Sequence, residues 1–340
     1  MMLTVSPKVS VVIPTHNRLP ILLQCLEAVA AQSVPAEWLE VIVVADGCTD
    51  GTADALRGRR FPFELRVIEQ PASGAAAARN RGATEARGEL LLFLDDDVIP
   101  STELVSAHLE AHQRAHECVV VGPYLPDPPG RGDYLAEGLW RYWEKTFAGM
   151  DAPGRSARYT DLLSGNLSIP THTFARLGGF DPAFPECGLE DYELGIRVLR
   201  EGIPIGFAAR ARARHLETTD LMRSFKRKWR EGNSTLLLVE RHPSVLPDTR
   251  LVANDRWTRF LVFRTPRLGA WLANRGIELL RLAQRLGLRR YWFSLHQRLK
   301  AYSFWCGVKD GVGTEAELER RIARMKSAAD AARNPQIGVV

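Results

Sequence analysis

Three consecutive aspartates, Asp95, Asp96 and Asp97, follow the apolar run Leu90–Leu94. This pair of features constrains the chain more than any other. A short apolar run of this kind indicates a buried β-strand. Three carboxylates at its end repel one another, and a divalent cation with hard oxygen ligands relieves that repulsion. Because ligands bind beyond the carboxyl ends of strands in open α/β sheets, the pattern predicts a Mg²⁺ or Mn²⁺ site. The alternative is an acidic turn that caps the next helix, with Asp97 or Ser101 as N-cap.

The first 120 residues alternate strand-like and helix-like segments, which predicts an α/β fold with a doubly wound, mostly parallel, Rossmann-like sheet. The fingerprints GxGxxG and GxxxxGK[ST] are both absent, so dinucleotide-binding and P-loop sites lose their main support. The predicted strands are Val9–Ile13, Leu39–Ala45, Leu65–Ile68, Leu90–Leu94, Val119–Val121, Thr160–Ile169 and Ile203–Ala208. The predicted helices are Leu19–Ala31, Thr52–Leu56, Ala75–Ala86, Thr102–Ala115, Tyr134–Phe147 and Asp191–Arg200.

The charge is distributed unevenly along the 340 residues, whose net charge is +5. Residues 1–200 carry 18 basic and 27 acidic side chains, whereas residues 201–340 carry 27 and 13. We therefore expect an acidic α/β domain at 1–220 that could hold a metal. A basic, Trp-containing, mainly helical C-terminal region is expected at 221–340.

The cysteines and the apolar stretches indicate the cellular compartment in which we expect the protein. The five cysteines are odd in number and lack CxxC spacing, which argues against a disulfide framework or a zinc site. Residues 1–7 lack the pattern of a signal peptide, and no apolar stretch reaches the roughly 18 residues of a membrane span. We expect a cytoplasmic protein.

Polar clusters follow the other strands of the first half. They are Pro14-Thr15-His16-Asn17-Arg18, Asp46-Gly47-Cys48-Thr49-Asp50-Gly51-Thr52 and Ala78-Arg79-Asn80-Arg81-Gly82. Each has an ordinary explanation by itself, as a helix cap, a turn or a surface helix residue. Because corresponding strand ends meet at one crevice of a doubly wound sheet, we interpret them together as one ligand site.

These segments, with Leu-Asp-Asp-Asp at 94–97 and Gly-Leu-Glu-Asp-Tyr-Glu-Leu at 188–194, resemble glycosyltransferase family 2 in type and order. The resemblance covers about residues 8–240. It implies a GT-A fold, a nucleotide-sugar donor, a divalent metal and a DXD motif at the triple aspartate. Under it, residues 1–122 form the nucleotide-sugar half and residues 123–220 the acceptor half.

The resemblance also implies roles for individual residues. Asp97 would hold the metal, Asp46 would accept a hydrogen bond from a uracil-like base, and Arg79 would approach the phosphates or the base. Asp95 would contact ribose or sugar, and Asp96 could contact the donor or the metal. The base and ribose pocket would be lined by Pro14, Thr15 and Arg18.

Glu190 and Asp191 stand at the predicted start of a helix, where acidic side chains are also favoured by the helix dipole. In the family pattern the second acidic residue, here Asp191, is the general base, and Glu190 would support it or bind the acceptor. A carboxylate within hydrogen-bond reach can take the proton of an attacking hydroxyl. Capping and catalysis are compatible at this position.

Three further residues are weaker candidates. Asn166 would contact the sugar or acceptor. His215, at a place where many metal-dependent relatives have a histidine, would complete the metal site, although a lone histidine is usually structural. Trp229 would belong to a lid over the phosphates, with a solvated basic helix face as the alternative.

Residues 221–300 carry 18 basic and 5 acidic side chains. Basic helices with tryptophans suit an anionic membrane surface, and the alternative is a helical bundle with its arginines in solvent. Nucleic-acid binding is not expected because no binding motif accompanies the charge.

We therefore predict an inverting, metal-dependent glycosyltransferase that uses a nucleoside-diphosphate sugar, with UDP favoured. The acceptor would be a hydroxyl of a glycan, a lipid-linked molecule or a small molecule. A peripheral position at the inner membrane face is compatible with the basic region. The alternatives are a sugar nucleotidyltransferase, against which the Gly-free loop after the first strand argues, and a non-catalytic nucleotide-sugar binding module.

Overall fold

The structure is a computed structural model that describes residues 7–115, 117–184, 188–216 and 218–333. The chain forms two compact units. The first comprises Met1–Pro128 and Leu139–Thr218, and the second comprises Pro129–Gly138 and Thr219–Val340. The boundary near residue 218 lies close to the one expected at 220. The assignment of a donor half and an acceptor half within the first unit stays a prediction.

The first unit is an α/β structure. Its strands are β1 (Val9–Thr15), β2 (Leu39–Asp46), β3 (Glu64–Gln70), β4 (Leu90–Leu94), β5 (Val98–Pro100), β6 (Val119–Val121), β7 (Tyr124–Pro126), β8 (Asn166–Pro170), β9 (Ile205–Phe207) and β10 (Ala213–His215). Its helices are α1 (Leu19–Ala30), α2 (Thr52–Arg57), α3 (Ala75–Thr84), α4 (Leu104–Arg114), α6 (Thr171–Arg176) and α7 (Glu190–Arg200), together with most of α5 (Tyr134–Met150), whose first five residues belong to the second unit.

The main sheet has seven strands in the order β3-β2-β1-β4-β8-β6-β9. The first four pair in parallel, and β8 is antiparallel to both β4 and β6. All eight residues of β2 are buried, as expected for a strand covered on both faces. The α/β class with a mostly parallel sheet and C-terminal helices is therefore confirmed.

Local sequence explains the central elements. Pro14 is tolerated in the central strand β1 because the pairing with β4 ends at Val12, so no strand on that side needs its missing N–H. Helix α1 buries Leu22, Cys25, Leu26 and Val29, which share one helix face at spacings of three and four. This face packs into the main core beside the apolar strands.

Two features differ from the sequence prediction. The strand predicted over Thr160–Ile169 is wrong in its first half, because 159–161 form a 3₁₀ turn and the strand is Asn166–Pro170. A second sheet of three short strands, β5-β10-β7, was not predicted. Strands of three residues are too short to show an alternating pattern, and their pairing depends on partners distant in sequence.

The second unit is helical. It contains α8 (Leu221–Arg241), α9 (Arg256–Phe263), α10 (Pro266–Arg285), α11 (Arg289–Val312) and α12 (Glu315–Arg333). Its core includes Tyr134, Phe225, Leu280, Trp292 and Leu299. In the part of the chain that the structure describes, none of the helices combines the length and the apolar character that a membrane crossing requires.

Candidate active site

The three aspartates leave the sheet at the carboxyl end of β4. The chain turns at once into β5, and the turn is closed by the amide of Val98, which donates to the carbonyl of Asp95 at 3.0 Å. Asp96 and Asp97 are 4% and 9% exposed, whereas the side chain of Asp95 is about one-third exposed. The predicted placement at a strand exit is therefore found, and two of the three carboxylates are buried.

Arg18 bridges the two buried carboxylates. One terminal nitrogen of Arg18 lies 2.8 Å from Asp96 Oδ1 and 2.8 Å from Asp97 Oδ2. Thr15 donates its hydroxyl to Asp96 Oδ2 at 2.7 Å. Burial raises the pKa of Asp96 to about 6, although Arg18 and Thr15 stabilise its charged form. The polar residues at the end of β1 and just beyond it therefore hold the triple aspartate in place.

Asp97 also faces a histidine from the second sheet. His215 lies on β10, which pairs antiparallel with β5 in a register that sets His215 opposite Val98. The distance from His215 Nε2 to Asp97 Oδ1 is 3.5 Å. Burial alone would raise the pKa of Asp97, but the hydrogen bond and charge of His215, together with Arg18, outweigh it and hold that pKa below its ordinary value.

The side chains around Asp97 decide whether a divalent cation could be coordinated here. Within the described ranges, no three His, Cys, Asp or Glu side chains form a cation site by themselves. Asp97 and His215 supply two side chains, close together, that can coordinate a metal. Mg²⁺-like cations commonly take one or two protein ligands and complete their shell with phosphate oxygens and water. The residues therefore fit a cation shared with a phosphate-bearing ligand.

Arg79 on α3 connects the triple aspartate to helix α7. It donates to Asp95 Oδ1 at 2.6 Å and to Glu190 Oε1 at 3.1 Å, and its guanidinium lies 5.6 Å from the centre of the Phe180 ring. Arg79 is only 4% exposed. Its pKa is raised because the charges of Asp95 and Glu190 more than offset the cost of burial. Its role toward a nucleotide stays a prediction.

The start of α7 is shaped by backbone strain. Leu189 has a φ of 83°, in the left-handed region that side chains with a Cβ rarely adopt. Glu190 accepts from the amide of Gly188 at 2.9 Å, so it both closes this turn and pairs with Arg79. Strain of this type costs about 1–3 kcal/mol and is concentrated at functional sites.

Asp191 follows directly and is half-buried. Its Oδ1 accepts from the amide of Tyr192 at 2.8 Å. Burial and the neighbouring charge of Glu190 raise the pKa of Asp191, against the opposing effect of Arg79. A carboxyl with a raised pKa next to a fixed charge network is suited to proton transfer near neutral pH.

Asp46 lies at the carboxyl end of β2 and is bonded to the loop after β3. Its Oδ1 accepts from the Gln70 side chain at 2.8 Å and from the Ser73 amide at 2.7 Å, and its Oδ2 accepts from the Gly74 amide at 2.9 Å. Asp46 therefore orders this loop, and its predicted role toward a nucleotide base stays untested.

The loops after β1 and β2 are joined through Asn17. Its Oδ1 accepts from the amide of Thr49 at 2.7 Å, and its φ of 53° lies in the left-handed region. His16 Nδ1 lies 2.5 Å from the carbonyl of Asp46. These contacts bring two of the predicted polar clusters to the same edge of the sheet.

Two further candidates make contacts inside the protein. Asn166 is fully buried on β8, with its Oδ1 2.9 Å from His108 Nε2 and its Nδ2 donating to the carbonyl of Ala211 at 2.8 Å. Trp229 lies on α8 in the second unit, where its indole N–H donates to Asp310 at 2.8 Å. The proposed contacts of these two residues with sugar or phosphate stay predictions.

Residues that sequence reasoning left without a role also shape the site. Asn80 accepts from the amide of Phe180 at 2.8 Å and donates to its carbonyl at 2.7 Å, so it fixes the loop on which Arg79 rests. Tyr124 packs edge-on against His215 with ring centres 5.7 Å apart. Asn80 belongs to the polar cluster around Arg79, so the sequence indicated that it lies near the site. No sequence pattern indicated this for Tyr124.

The chain resembles known proteins in sequence. Residues 10–173 match the family described as Glycosyl transferase family 2, and residues 144–219 match one described as N-terminal domain of galactosyltransferase. Validoxylamine A glucosyltransferase of Streptomyces hygroscopicus subsp. jinggangensis is 32% identical over 279 residues, which are 74% of this chain and 64% of that protein. This chain thus spans less than two thirds of that relative.

The fold also resembles solved structures. A fragment of S. aureus TarS, residues 1–349, aligns over 97% of this chain and 92% of its own length, with a TM-score of 0.55 and 16% identity. Further structures of the fragment contain UDP or UDP-GlcNAc. The mannosyltransferase PcManGT of Pyrobaculum calidifontis, in complex with GDP-Man and Mn²⁺, aligns over 90% of this chain and 88% of its own length, with a TM-score of 0.59 and 19% identity.

Proposed function

The chain contains a glycosyltransferase family 2 domain with the GT-A fold, and we propose that it transfers a hexose from a UDP-sugar to an acceptor hydroxyl with inversion at the anomeric carbon. One observation carries this proposal. Arg79 joins Asp95 of the acidic triplet to Glu190, the direct neighbour of Asp191. The acidic cluster proposed to bind the donor and the candidate base thereby belong to one connected network of side chains.

The choice of donor rests on two supports. The TarS fragment binds UDP and UDP-GlcNAc, and the Streptomyces relative is by its name a glucosyltransferase. In this chain, Asp46 is a carboxylate at the end of β2 that a uracil N–H could approach as a donor. PcManGT binds GDP-Man, so the nucleotide is the part of the proposal that most needs a direct test.

A divalent cation, Mn²⁺ or Mg²⁺, would be held by Asp97 and His215 together with the diphosphate. When bound, it would supply Lewis-acid stabilisation of the charge on the leaving diphosphate. Arg18 already neutralises the other oxygen of Asp97, at 2.8 Å. The pocket around the diphosphate would therefore combine positive charge from the cation with that of Arg18.

Asp191 would act as the general base. Its carboxylate takes the proton of the acceptor hydroxyl as that oxygen bonds to the anomeric carbon, and the bond from that carbon to the diphosphate oxygen breaks with its electron pair leaving on the nucleotide. Glu190 is occupied by Arg79 and the Gly188 amide, so it positions the helix start and raises the basicity of Asp191. One displacement of this kind inverts the anomeric configuration.

The test is a thermal-shift and turnover panel. UDP-glucose, UDP-GlcNAc, UDP-galactose and GDP-mannose are each added with Mn²⁺ or with a chelator, since a ligand that binds the native state raises apparent stability by mass action. We expect a UDP-sugar to give the largest Mn²⁺-dependent rise in melting temperature. We also expect that sugar donor to be turned over slowly, with UDP as the product. The matched variants are Asp97→Asn and Asp127→Asn, the latter an exposed carboxylate of the same unit that pairs with Arg214 at 3.3 Å. Equal shifts in both variants, or no shift with any nucleotide sugar, would overturn the proposal.

A further inference from the structure

Helix α10 of the second unit exposes a row of large apolar side chains. They are Leu268, Trp271, Leu272, Leu279 and Leu282, between 42% and 55% exposed, followed by Leu286 at 61% just beyond the helix end. Of the thirteen large apolar side chains exposed in the described part of the chain, ten lie between residues 257 and 291. Scattered exposed leucines are ordinary, but such a concentration marks an interaction site.

The row forms one face of the helix. At about 100° per residue, its members fall within an arc of about 100°. The buried residues of α10, which are Gly269, Gly276, Leu280 and Ala283, lie on a different arc, and Leu280 and Ala283 pack in the core of the second unit. Arg275 lies within the same arc, beside Trp271. The exposed face is therefore a second, largely apolar surface, where a helix at the surface of a water-soluble bundle would carry mainly polar side chains.

Positive charge surrounds this face. Residues 256–291 contain nine arginines and a single acidic residue, Glu278. Glu278 pairs with Arg275 at 2.7 Å, and Arg275 also lies 5.9 Å from the ring centre of Trp271. Five arginines are exposed and have no carboxylate within ion-pair distance among the described residues: Arg256, Arg267, Arg281, Arg285 and Arg290.

We propose that the exposed apolar face of α10 docks on an anionic lipid bilayer. A helix with leucine and tryptophan on one side and arginine beside them lies in the interface plane, with its apolar face at the acyl boundary and its guanidinium groups among the headgroup phosphates. A second copy of this chain fits less well. A twofold interface would bring the same arginine-rich surfaces of two copies together, and like charges oppose such contact.

This docking goes beyond the transfer reaction and does not depend on it. It would hold the chain at the surface where acceptors with a lipid anchor are presented. Its test therefore measures lipid binding and not sugar transfer, so a failure of either proposal leaves the other standing.

The experiment is co-sedimentation with vesicles of phosphatidylcholine alone and of phosphatidylcholine mixed with phosphatidylserine. We expect binding to the anionic vesicles at low salt, release as salt rises, and far weaker binding to the neutral vesicles. The double variant Leu279→Gln, Leu282→Gln should lower the partition coefficient roughly tenfold or more, because two apolar side chains no longer leave water. The matched control is Met222→Gln on α8, which is 55% exposed in the same unit and should bind as the parent does.

A second pair of variants tests the charge. Arg281→Gln with Arg285→Gln removes two positive charges beside the face, and Arg320→Gln with Arg324→Gln removes two from α12 of the same unit. Only the first pair should weaken binding and flatten its salt dependence. Equal loss in both pairs, absence of binding to anionic vesicles at low salt, or a parent protein that dimerises through this face without binding lipid would overturn the proposal. All seven substituted positions are exposed, and far-UV circular dichroism checks that each variant remains folded.

Discussion

Arg79 and Glu190 are 111 positions apart in the sequence, yet their side chains form a buried ion pair with an N–O distance of 3.1 Å. Both side chains are almost fully buried, at 5% and 6% exposed. Removing one partner of such a pair leaves an uncompensated charge, which typically costs about 3–5 kcal/mol. The pair therefore couples the end of β4, through Asp95, to the helix start that carries Asp191.

The variant Glu190→Gln tests this coupling through the pH dependence of activity. The charge of Glu190 is one of the causes that raise the pKa of Asp191, after burial. Its removal should lower that pKa. Because only the deprotonated carboxylate accepts a proton, the acidic limb of the kcat/KM profile should move to lower pH. The control is Glu201→Gln at the exposed end of the same helix, paired with Arg176 at 3.3 Å. A shift toward higher pH, or the same shift in both variants, would contradict the assignment.

The variant Asp191→Asn keeps the size of the side chain and the oxygen that accepts from Tyr192. Turnover should fall by roughly 10²–10⁴, the usual contribution of a general base, while the affinity for the donor changes little. Single-turnover kinetics and calorimetric titration with UDP separate the two effects. Loss of donor affinity with turnover retained at saturation would make Asp191 a binding residue.

The same variant has a second, independent consequence for stability. Folding raises the pKa of Asp191, so the stability that this group contributes is present below its unfolded pKa and is lost as pH rises through its folded pKa. Asparagine does not titrate. The unfolding free energy of Asp191→Asn relative to the parent should therefore increase with pH, as measured by urea denaturation at several pH values. A difference that is flat or that decreases with pH would show that Asp191 is not destabilised as a carboxylate.

The metal proposal is tested by Asp97→Asn and His215→Ala. Each variant removes one of the two proposed metal ligands, whose nitrogen and oxygen atoms lie 3.5 Å apart. Both variants should bind UDP equally with and without Mn²⁺, whereas the parent should bind more tightly with it. The measurement is calorimetric titration of UDP in Mn²⁺ and in chelator. An Mn²⁺ effect that survives in both variants would place the cation elsewhere or remove it from the mechanism.

Much of this site could be predicted from local sequence. The apolar run before Asp95 ends as a strand at Leu94, and Thr15 at the end of β1 and Arg18 beyond it contact the triple aspartate. The strand depends on residues close in sequence. The contacts of Thr15 and Arg18 with Asp96 join distant residues, but they follow from the rule that parallel strand ends share one edge of the sheet. The resemblance to a known family supplied the order of the segments.

The remaining geometry depends on contacts between distant residues, which sequence patterns do not encode. His215 reaches Asp97 only because β10 pairs with β5, and neither three-residue strand shows a period. The Asp46 carboxylate is bonded to the 70–74 segment, and nothing in Asp46-Gly47 indicates that partner. Likewise, no local pattern shows that both side-chain groups of Asn166 are used inside the protein.

We expect that the close packing of α8 and α11 in the second unit requires glycine at position 307. A Cβ built there would lie 1.8 Å from the carbonyl oxygen of Trp229, because α8 and α11 pack backbone to backbone at this point. Gly307→Ala should therefore lower stability by about 1–3 kcal/mol, although alanine is the better helix former. Gly149→Ala in α5 should be neutral or stabilising, because among the described residues no atom outside its own helical turn lies within 4 Å of such a Cβ. Urea denaturation of both variants measures the change in unfolding free energy relative to the parent. A Gly307→Ala variant more stable than the parent would refute the close packing.

Asp46 combines an observed structural role with a predicted binding role, and two variants distinguish them. Asp46→Ala leaves the amides of Ser73 and Gly74 without their acceptor, which should cost about 1–3 kcal/mol of stability for an unsatisfied buried group. If the carboxylate also receives the base N–H, UDP affinity should fall further than the affinity for a sugar phosphate that lacks the base. Gln70→Leu removes one donor to Asp46 and keeps the carboxylate, so it should lower stability slightly and leave UDP affinity intact. Unchanged UDP affinity in Asp46→Ala, measured well below its melting temperature, would restrict Asp46 to ordering the loop after β3.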